Sequence, residues 1–565
     1  MDRPRPALIP ASGRDSSQED IWGASVPAVA TDPAQIRLVA ALAVAPVIFL
    51  VLFYLWPVVT LLARGLDGSA ATRASTWDIA WFTLWQATAS TALTVAAGLL
   101  PAYVIARYRF PGRRLLSGLL TAAFVLPTVV MGAAMLAVLP APIERGIWAI
   151  LAAHVAFNLA VVVRTVGAVW EHLPSDLEAA AATLGAAPWK VAREITLPLL
   201  RPAILAAASI VFVFTFTSFG VIRVLGDAGT STIEVEIWRR ATQLGDVSTA
   251  ATLAVAQLAV IAVVVGWAAW QQRRHSRALA LRPLAGRRTP RPGAERRFVT
   301  LTALATGVVV AAPLVALVER SLRTPSGYSL TAWRHLGRTE IRPGITVGVD
   351  PLGALLASLR TAVVATAVAV TIGALAALAI VAWRRGGRLL DTGLMLPIAT
   401  SAVTIGFGIL ITFDQAPVDW RASWWIVPIG HALVAVPFVV RATLPVLRGI
   451  DPRLHEAAAT LGASPARSWR EITVPHLRRP LALAAGLAAA ISLGEFGATS
   501  FLTRSGAETM PIAIERLLGR TGAALQAQGY VLATILAAAT IAIVLLLDLG
   551  DLNRRAARTS RARSS

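Results

Sequence analysis

The sequence contains no cysteine and only one lysine, and each of these absences excludes a class of chemistry. Without cysteine, the chain has no disulfide, no thiol nucleophile, no iron–sulfur cluster and no thiolate zinc site. Lys190 lies in the segment Ala-Pro-Trp-Lys-Val, so the chain has no G-x-x-x-x-G-K-[S/T] loop for nucleotide phosphates. We therefore expect no catalytic residue, no cofactor and no metal in this chain.

Charged residues are also scarce. They make up 15% of the 565 residues, whereas 56% of residues are hydrophobic and the mean hydropathy is +0.66. Soluble domains carry about 25% charged residues, so this composition is typical of a polytopic membrane protein. The net charge of +21 comes almost entirely from arginine. It indicates cytoplasmic loops and contact with the lipid bilayer, and we expect no nucleic-acid partner.

Twelve apolar segments are long enough to cross a membrane as helices, since about 20 residues span the hydrocarbon layer. Backbone polar groups find no water in lipid, so helices rather than open strands are expected. The segments are 38–63, 81–106, 115–139, 147–169, 203–219, 250–270, 298–318, 354–383, 391–413, 424–446, 481–496 and 530–548. The predicted fold class is an all-α polytopic membrane protein with about twelve transmembrane helices.

Clusters of arginine predict the side of the membrane that each loop occupies. Such clusters lie after the second and eighth segments, in residues 271–297 and at the end of the chain. Residues 271–297 alone contain nine arginines. With twelve spans, all of these positions share one side. We therefore expect a multi-pass protein of the cell's inner (cytoplasmic) membrane with both termini in the cytoplasm. Residues 319–353, assigned to the other side, carry five arginines and argue mildly against this orientation.

Two polar segments between apolar ones repeat each other 277 residues apart. Residues 177–202 read LEAAAATLGAAPWKVAREITLPLLRP, and residues 454–479 read LHEAAATLGASPARSWREITVPHLRR. The offset holds without a gap over roughly eighty residues, and upstream the Leu-Pro pair at 126–127 matches the pair at 396–397. Two parallel six-helix units are expected, because an even number of spans keeps both polar segments on one face.

The repeat predicts a division of the chain into two halves with flanking basic or disordered segments. The predicted parts are a disordered cytoplasmic tail at 1–36, a first half at 37–270, a cytoplasmic linker at 271–297, a second half at 298–549 and a basic cytoplasmic tail at 550–565. The tail at the start lacks any apolar periodicity, which is why we expect it to be disordered.

Each polar segment is predicted to form two short helices separated by a glycine. In the second segment an alanine-rich helix ends at Gly462. A second helix then begins at Ser464-Pro465 with the serine as its cap, and we expect Pro475 to end it before the next span. In the first segment Ala187 replaces the capping serine. Such a pair would present a small knob to a soluble partner. The alternative, an amphipathic pair that contacts only lipid, would not require the same residues in both halves.

The two segments resemble the EAA loop of ABC-transporter permeases, in which Glu-Ala-Ala is followed by a glycine six residues after the glutamate, and then by Ile-x-Leu-Pro. The resemblance covers nearly the whole chain from residue 38 and includes the Arg-Phe-Pro-Gly-Arg turn at 109–113. In the first loop (174–202) the glutamate lies one residue early, and in the second (451–480) valine replaces the leucine. The corresponding residues are Glu178, Ala179, Ala180, Gly185, Ile195, Pro198, Glu456, Ala457, Ala458, Gly462, Ile472 and Pro475.

This resemblance implies the permease of a type I, binding-protein-dependent importer. In that family the loop forms a coupling helix that docks into a groove of the ATPase, so two loops imply two copies of the ATPase. ATP and Mg²⁺ would bind to those subunits, and an extracytoplasmic solute-binding protein would deliver the substrate. Fusion of both halves and the turns S-F-G-V and G-E-F-G-A resemble the thiamine and ferric-iron permeases, the thiamine type more closely. Sulfate and molybdate permeases share the second turn.

An ion-coupled secondary transporter is the alternative of a different class, since it also has twelve helices in parallel halves. It would use carboxylates in mid-membrane, of which the sequence has almost none, and would not need two EAA loops. Glu495 is an acid at membrane depth and therefore a candidate functional residue, or else an interfacial acid solvated from the outer side. With its repeat partner Ser218 and the adjoining Phe219 and Phe496, it is predicted to line the pathway or its gate.

Polar residues near these turns have plainer expected roles. Asp227, Glu234 and Glu236 follow the first turn, and we expect a solvated outer loop, with contact to a binding protein or a cation as the alternative. The matched His154 and His431 are expected to be hydrogen-bonded packing residues, because a metal site needs more ligands nearby.

Overall fold

The computed structural model is almost entirely helical, and the predicted fold class is confirmed. It describes residues 33–66, 74–173, 175–227, 229–275, 287–324, 327–337, 340–342, 345–346, 349–383, 386–414, 419–420, 423–504 and 507–564. The predicted disordered tail therefore lies outside the described residues up to position 32. The basic tail predicted at 550–565 continues a helix that extends to Ser564.

Twelve helices make up the part of the chain before the linker. They are α1 (Pro33–Leu50), α2 (Trp56–Gly65), α3 (Ala74–Arg107), α4 (Arg113–Val125), α5 (Thr128–Val138), α6 (Ile147–His172), α7 (Ser175–Thr183), α8 (Pro188–Val191), α9 (Leu197–Phe216), α10 (Gly220–Leu225), α11 (Ile233–Arg239) and α12 (Val247–His275). Short π-helical segments join α1 to α2 and α8 to α9, and a third follows α11.

Twelve more helices follow the linker. They are α13 (Ala294–Leu322), α14 (Thr331–Arg334), α15 (Pro351–Ala382), α16 (Gly387–Ala399), α17 (Ala402–Thr412), α18 (Ile426–Arg448), α19 (Pro452–Thr460), α20 (Pro465–Ser468), α21 (Val474–Gly494), α22 (Thr499–Leu502), α23 (Met510–Leu518) and α24 (Ala523–Ser564). Between α13 and α15 lie two small antiparallel hairpins, β1 (Arg323–Thr324) with β2 (Gly327–Tyr328) and β3 (Glu340–Arg342) with β4 (Ile345–Thr346).

Among the described residues, ten helical runs are long and apolar enough to cross a membrane. The predictions at 115–139 and 391–413 are wrong as single helices, because each of these segments is sharply bent. The chain turns by 113° between α4 and α5, and by 103° between α16 and α17. Leu126 and Pro127 are extended at the first bend, as expected for a residue before proline. At the second bend Ser401 is extended, and its hydroxyl caps α17 by accepting from the backbone N–H of Val403.

Contacts at the two ends of the α4–α5 pair indicate that it crosses the membrane rather than turning back. The neighbouring helix α13 begins where Glu295 accepts a hydrogen bond from Tyr108 (2.7 Å), the residue that directly follows α3. It ends where the Nε of Arg320 donates to the carbonyl of Ala137 (3.4 Å), at the end of α5. Since α13 has 29 residues and is roughly 43 Å long, the bent pair runs from one face of the bundle to the other.

The α16–α17 pair crosses in the same way, alongside α18. Asp391 of α16 lies 4.0 Å from Arg448 at the end of α18. Phe413, just after α17, stacks on Trp420, which in turn contacts Trp425 immediately before α18. Each bent pair therefore counts as one span, and twelve spans result.

The two halves are interlocked rather than packed as separate bundles. Helices α1 and α2 of the first half pack on α15 and α17 of the second, and α13 of the second half packs on α4 and α5 of the first. Each of the two largest hydrophobic clusters mixes the halves: Tyr54 and Phe216 share one with Phe407, and Val129 shares the other with Ile514. The two predicted halves thus share their largest hydrophobic clusters, while a smaller cluster around Val162 and Trp170 belongs to the first half.

Candidate functional site

One face of the bundle gathers the ends of several helices around the linker, and we call it the linker face. Arg287 pairs with Glu171 at the end of α6 (2.6 Å), and Arg107 at the end of α3 pairs with Glu178 of the first polar segment (3.2 Å). Burial and hydrogen bonds to Tyr103 and Glu295 raise the pKa of the Tyr108 phenol, so it remains a neutral donor beside the linker. The first polar segment therefore lies on the linker face.

The second polar segment lies on the same face, because the spans that follow the two segments run in parallel. Helices α9 and α21 both end at Phe-Gly turns, and the rings of Phe219 and Phe496 in these turns are 5.0 Å apart. Since both helices end together at the opposite face, both begin at the linker face. The polar segments that precede them are thus the two knobs of one surface; we call them loop 1 (175–196) and loop 2 (452–473).

The two loops share the same local fold around a glycine. Helices α7 and α19 end at Gly185 and Gly462, whose φ angles are +80° and +79°. In both loops the residue after the glycine donates its N–H to a carbonyl five residues back, at 3.0 Å for Ala186 and 2.9 Å for Ala463. This is the hydrogen-bond pattern of a helix C-terminus closed by a left-handed residue. Alanine-rich helices thus stop at a glycine because other residues disfavour that φ.

The second helix of each loop does not end at the proline, so that prediction is wrong. The runs Pro188–Phe216 and Pro465–Gly494 are continuous and carry the loop directly into the next span. A π-helical turn lies just before each proline, at Ala192–Thr196 and Trp469–Thr473. The N–H of Val474 bonds to the carbonyl of Trp469, five residues back. This wider turn accommodates the ring of the proline that follows, and a movement of either loop would be passed directly to its span.

The heads of the two loops are held by different side chains. Glu178 accepts a hydrogen bond from the hydroxyl of Thr196 (2.9 Å) in addition to its ion pair with Arg107. His455, at the repeat position of Glu178, bonds to Ser468 (2.7 Å) and Thr473 (3.4 Å). Thr473 is itself the repeat partner of Thr196.

Glu456, the glutamate in register with the EAA motif, is exposed and makes no side-chain hydrogen bond or ion pair among the described residues. The glutamate one residue early in loop 1 therefore braces the loop internally, whereas Glu456 of loop 2 faces outward.

The loop tips expose large apolar side chains. Leu184 and Leu461, which are repeat partners, are 88% and 87% exposed, and Trp189 of loop 1 is 66% exposed. An exposed leucine repeated at the same place on two knobs is typical of a surface that another protein covers. The remaining motif residues are exposed at Ala179, Ala180, Pro198, Ala457 and Pro475, and half-buried at Ile195, Ala458 and Ile472.

Phe219 and Phe496 close the centre of the molecule at the face opposite the linker. Both are buried, they come from repeat positions, and their ring contact joins the two halves. The turns are held close to the bends of the broken spans: a Cβ on Gly220 would lie 2.3 Å from the hydroxyl of Thr128, and one on Gly497 would lie 3.0 Å from the backbone of Val403. The bent spans and the Phe-Gly turns therefore pack as one unit in each half.

A buried histidine supports each Phe-Gly turn. His154 bonds to Ser90 and to Ser218 (2.9 Å each), and His431 bonds to Ser492 (2.8 Å) and Thr499 (2.7 Å). Both ring nitrogens are thus used, and both histidines are packing residues as expected.

Glu495 is buried in the second of these clusters, so the interpretation as a solvated acid is wrong. It accepts from the backbone N–H groups of Ala498 and Thr499 (2.9 Å each) and lies 3.3 Å from His431. Its partners stabilise the turn that carries Phe496, and Ser218 does the same for Phe219 in the first half.

The outer acids are also not solvated as expected, apart from Asp227. Glu234 and Glu236 on α11 are fully buried. Glu236 pairs with Arg239 (2.8 Å) and Arg240 (2.6 Å), and Glu234 accepts from Gln257 of α12. Asp227 is exposed and closes a local turn with Thr230. The alternation of apolar and acidic residues at 233–237 is typical of a strand, so this pattern does not indicate that both acids lie on a buried helix.

An ion pair and a hydrogen bond between the halves could not be predicted from the sequence. Arg223 of α10 pairs with Glu515 of α23, and its guanidinium lies 3.9 Å from the ring of Trp238. Tyr54 of the first half bonds to Thr400 at the second bend (2.6 Å). The paired residues are 292 and 346 positions apart in the chain, so no local pattern reveals these contacts. No group of three or more metal-ligating residues occurs among the described residues.

Comparison with known proteins identifies the family. The model of the binding-protein-dependent transport system inner membrane component matches twice, at residues 94–277 and 369–557. The thiamine transport system permease protein of Brucella abortus is 27% identical over 87% of this chain and 91% of its own length. The corresponding protein of Escherichia coli is 26% identical over 78% and 84%. A Salmonella typhimurium permease protein, provisionally named for 2-aminoethylphosphonate transport, is 33% identical over 34% of this chain and 73% of its own length.

The prediction of an ABC importer permease is confirmed, and the ion-coupled transporter is set aside. Such inner membrane components work with an ATPase and a binding protein. The chain, with two matched segments joined in one polypeptide, belongs to the family of binding-protein-dependent transport system inner membrane components.

Proposed function

We propose that this chain forms the pathway by which a thiamine-like solute, delivered by an external binding protein, crosses the cytoplasmic membrane. The similarity to two thiamine permeases along most of both chains carries this proposal. The buried ring pair of Phe219 and Phe496 on the pathway supports it, since aromatic faces suit a flat heteroaromatic solute.

Loops 1 and 2 form the docking surfaces through which two ATPase copies drive the conformational change of the permease. The motif residues from Glu178 to Pro198 and from Glu456 to Pro475 would dock on those subunits, which bind the ATP and Mg²⁺. Alternating access requires that each state be stabilised by different contacts. Closure of the ATPases would draw the two exposed leucine tips together and, through the continuous helices, separate Phe219 from Phe496.

The proposed orientation places the linker face and both termini in the cytoplasm. Because the chain has no cysteine, single cysteines report their own accessibility without interference. Leu184→Cys in loop 1 (88% exposed) and Tyr328→Cys in the hairpin at the opposite face (74% exposed) form a matched pair. In intact cells a membrane-impermeant maleimide should label only Tyr328→Cys. Labelling of Leu184→Cys instead would reverse the orientation.

Transport by the reconstituted complex tests the substrate. The permease, its ATPase and its binding protein in proteoliposomes should accumulate radiolabelled thiamine only when ATP is enclosed on the ATPase side. Parallel experiments with ferric iron and molybdate test the other substrates that the sequences of the two Phe-Gly turns suggested. Uptake of either of these in preference to thiamine would overturn the thiamine assignment but leave the importer intact.

2-Aminoethylphosphonate is a second candidate, because the relative named for it is the most identical of the three over its matched region. That match covers only 34% of this chain, which is why thiamine stands first. Competition separates the two: excess 2-aminoethylphosphonate should leave thiamine uptake unchanged. If it abolishes that uptake and is itself accumulated, the phosphonate is the substrate.

A further inference from the structure

A long apolar groove runs along the outside of the bundle between α4 and α13. It has a volume of about 840 Å³, within the range of ligand sites, and begins at the linker face. Leu115, Leu304, Val308 and Val315 line it and remain 60–70% exposed, so the groove is open to the hydrocarbon layer. From Arg296 to Val315 its length is roughly 28 Å, more than one leaflet needs for an acyl chain.

Two unpaired arginines lie at the end of the groove on the linker face. Arg109 belongs to the turn after α3, and Arg296 to the first turn of α13. Neither makes an ion pair with an acid among the described residues, although their neighbours Arg113 and Arg288 pair with Glu171 and Glu295. The local acids are therefore already engaged, and the groove presents net positive charge where the hydrocarbon layer meets water.

Hydroxyl groups complete the polar end of the groove. Thr289 and Thr300 also line it, so hydroxyl donors accompany the two guanidinium groups. Guanidinium groups bind phosphate oxygens in pairs, and basic pockets between transmembrane helices bind anionic lipid headgroups. We propose that this groove is a binding site for an anionic glycerophospholipid, with its phosphate between Arg109 and Arg296 and an acyl chain along α13.

A second groove, on the other side of α13, provides an internal comparison. It has a volume of about 340 Å³ and is lined by apolar residues and threonines of α3, α6 and α13, including Leu100, Leu159 and Thr306. No arginine lines it. Lipid tails can enter both grooves, but only the larger one can distinguish headgroups.

The test uses thermal unfolding of the purified full chain in detergent, with dioleoyl-phosphatidylglycerol or dioleoyl-phosphatidylcholine added. We expect phosphatidylglycerol to raise Tm saturably, and phosphatidylcholine to raise it much less. In the double variant R109Q/R296Q, the concentration of phosphatidylglycerol needed for half the shift should rise about 30-fold, given the contribution of each basic residue near an anionic surface.

Two controls separate site binding from general charge and from free phosphate. R114Q/R297Q removes the same charge from two nearby positions that do not line the groove, and should keep the phosphatidylglycerol effect. Glycerol 1-phosphate without acyl chains should not reproduce the shift.

A third variant blocks the acyl chain and keeps both arginines. A Cβ at Gly307 would come no closer than 3.9 Å to Leu116, so the backbone has room for a side chain there. Gly307 lines the groove, so Gly307→Leu should occupy the space of the acyl chain and also abolish the shift.

The outcomes decide between occupants. Equal shifts from both lipids, or a full phosphatidylglycerol effect in R109Q/R296Q, would overturn the proposal. A full effect in Gly307→Leu would also overturn it, because the acyl chain would then lie elsewhere. The test requires no ATPase or substrate, so its result does not depend on the proposed transport function.

Discussion

At the scale of single residues, loops 1 and 2 differ in the side chains that hold their first helices, although their backbones match. Position 178 holds a glutamate fixed between Arg107 and Thr196, and its repeat partner His455 is fixed between Ser468 and Thr473. Glu178 ties loop 1 to the end of α3 through Arg107, whereas both partners of His455 lie within loop 2. Of the two glutamates at the start of the motifs, Glu178 is held within the protein and Glu456 faces outward, so we expect the polar contact to an ATPase to differ between the loops at this position.

Because Glu178 and Glu456 have different surroundings, we expect their removal to have different effects on coupling and on the order of the loops. Glu456→Ala should lower the number of substrate molecules transported per ATP without changing Tm, because no contact within the chain is lost. Glu178→Ala leaves Arg107 without its partner and should loosen loop 1, which hydrogen exchange in 175–183 would detect. Measured side by side in proteoliposomes, equal losses of coupling in the two variants would contradict this assignment.

A second prediction concerns the glycine of loop 2. Gly462 has φ +79° and no neighbour within 4 Å of a Cβ, so alanine there has space but an unfavourable backbone. The left-handed conformation costs about 1–2 kcal/mol for an L-residue, and Gly462→Ala should weaken ATPase docking and uptake accordingly. Gly462→Asn is the matched control, since asparagine tolerates this conformation. Comparable uptake by the alanine and asparagine variants would argue against a role for the turn geometry.

At the scale of helices, breaks inside the membrane distinguish this fold from a bundle of straight spans. The bends at 126–127 and 400–401 correspond at an offset of 274, so the Leu-Pro pairs matched at 270 are not equivalent. Pro397 lies inside α16, and the second bend depends on the Ser401 cap instead. The bend is thus a shared feature that each half produces by different local chemistry.

The packing of the second bent span predicts a strict requirement for glycine. A Cβ on Gly406 would lie 2.5 Å from the Cα of Ala498, which is backbone and cannot rotate away. Gly406→Ala should therefore destabilise the fold by about 1–3 kcal/mol and lower Tm. Gly266→Ala, in α12 with nothing within 4 Å, is the matched control and should be neutral or slightly stabilising. A Tm for Gly406→Ala equal to that of the control would disprove the close contact.

At the scale of the whole molecule, the halves close on each other at one place on the axis of the repeat. Phe219 meets Phe496 there, and Arg223 meets Glu515 nearby. Helices α1, α2 and α13 hold the halves together elsewhere. The ring pair therefore joins the halves at the face opposite loops 1 and 2, where we propose that the pathway is closed in this structure.

Removing the closing rings should make the permease leak. If the aromatic pair stabilises the closed state by about 1 kcal/mol, Phe219→Ala with Phe496→Ala raises the open fraction roughly five-fold. The measurement is ATP-independent efflux of radiolabelled substrate from proteoliposomes. Phe407→Ala with Phe501→Ala removes a ring pair in which both rings belong to the second half, and serves as the control. A leak of the same size in the control would show that lost stability, rather than lost closure, is responsible.

Much of the architecture followed from the sequence, and the misses share one cause. Ten of the twelve predicted spans are single helical runs among the described residues, and the glycine turns of both loops are confirmed, because apolar length and glycine φ preference are local properties. The burial of Glu234 and Glu495 was not predicted because it depends on Gln257 and His431, which other helices supply. Glu236 is buried with Arg240 four residues further along the chain, a pair that its sequence neighbourhood could have indicated. The helix end predicted at Pro475 is wrong because a π turn accommodates the proline ring, as it also does before Pro198. Proline rules for regular helices do not anticipate such a turn.

The sequence by itself determined that this protein is a duplicated, ATPase-dependent membrane permease. Hydropathy over about 20 residues predicts the spans, and a motif repeated 277 residues apart predicts loops 1 and 2. Only the tertiary structure decided that the halves interlock, that Phe219 closes on Phe496, and that a charged groove opens toward lipid beside α13. These features join residues that are far apart in the chain, so they depend on how helices pack and leave no pattern within any one segment.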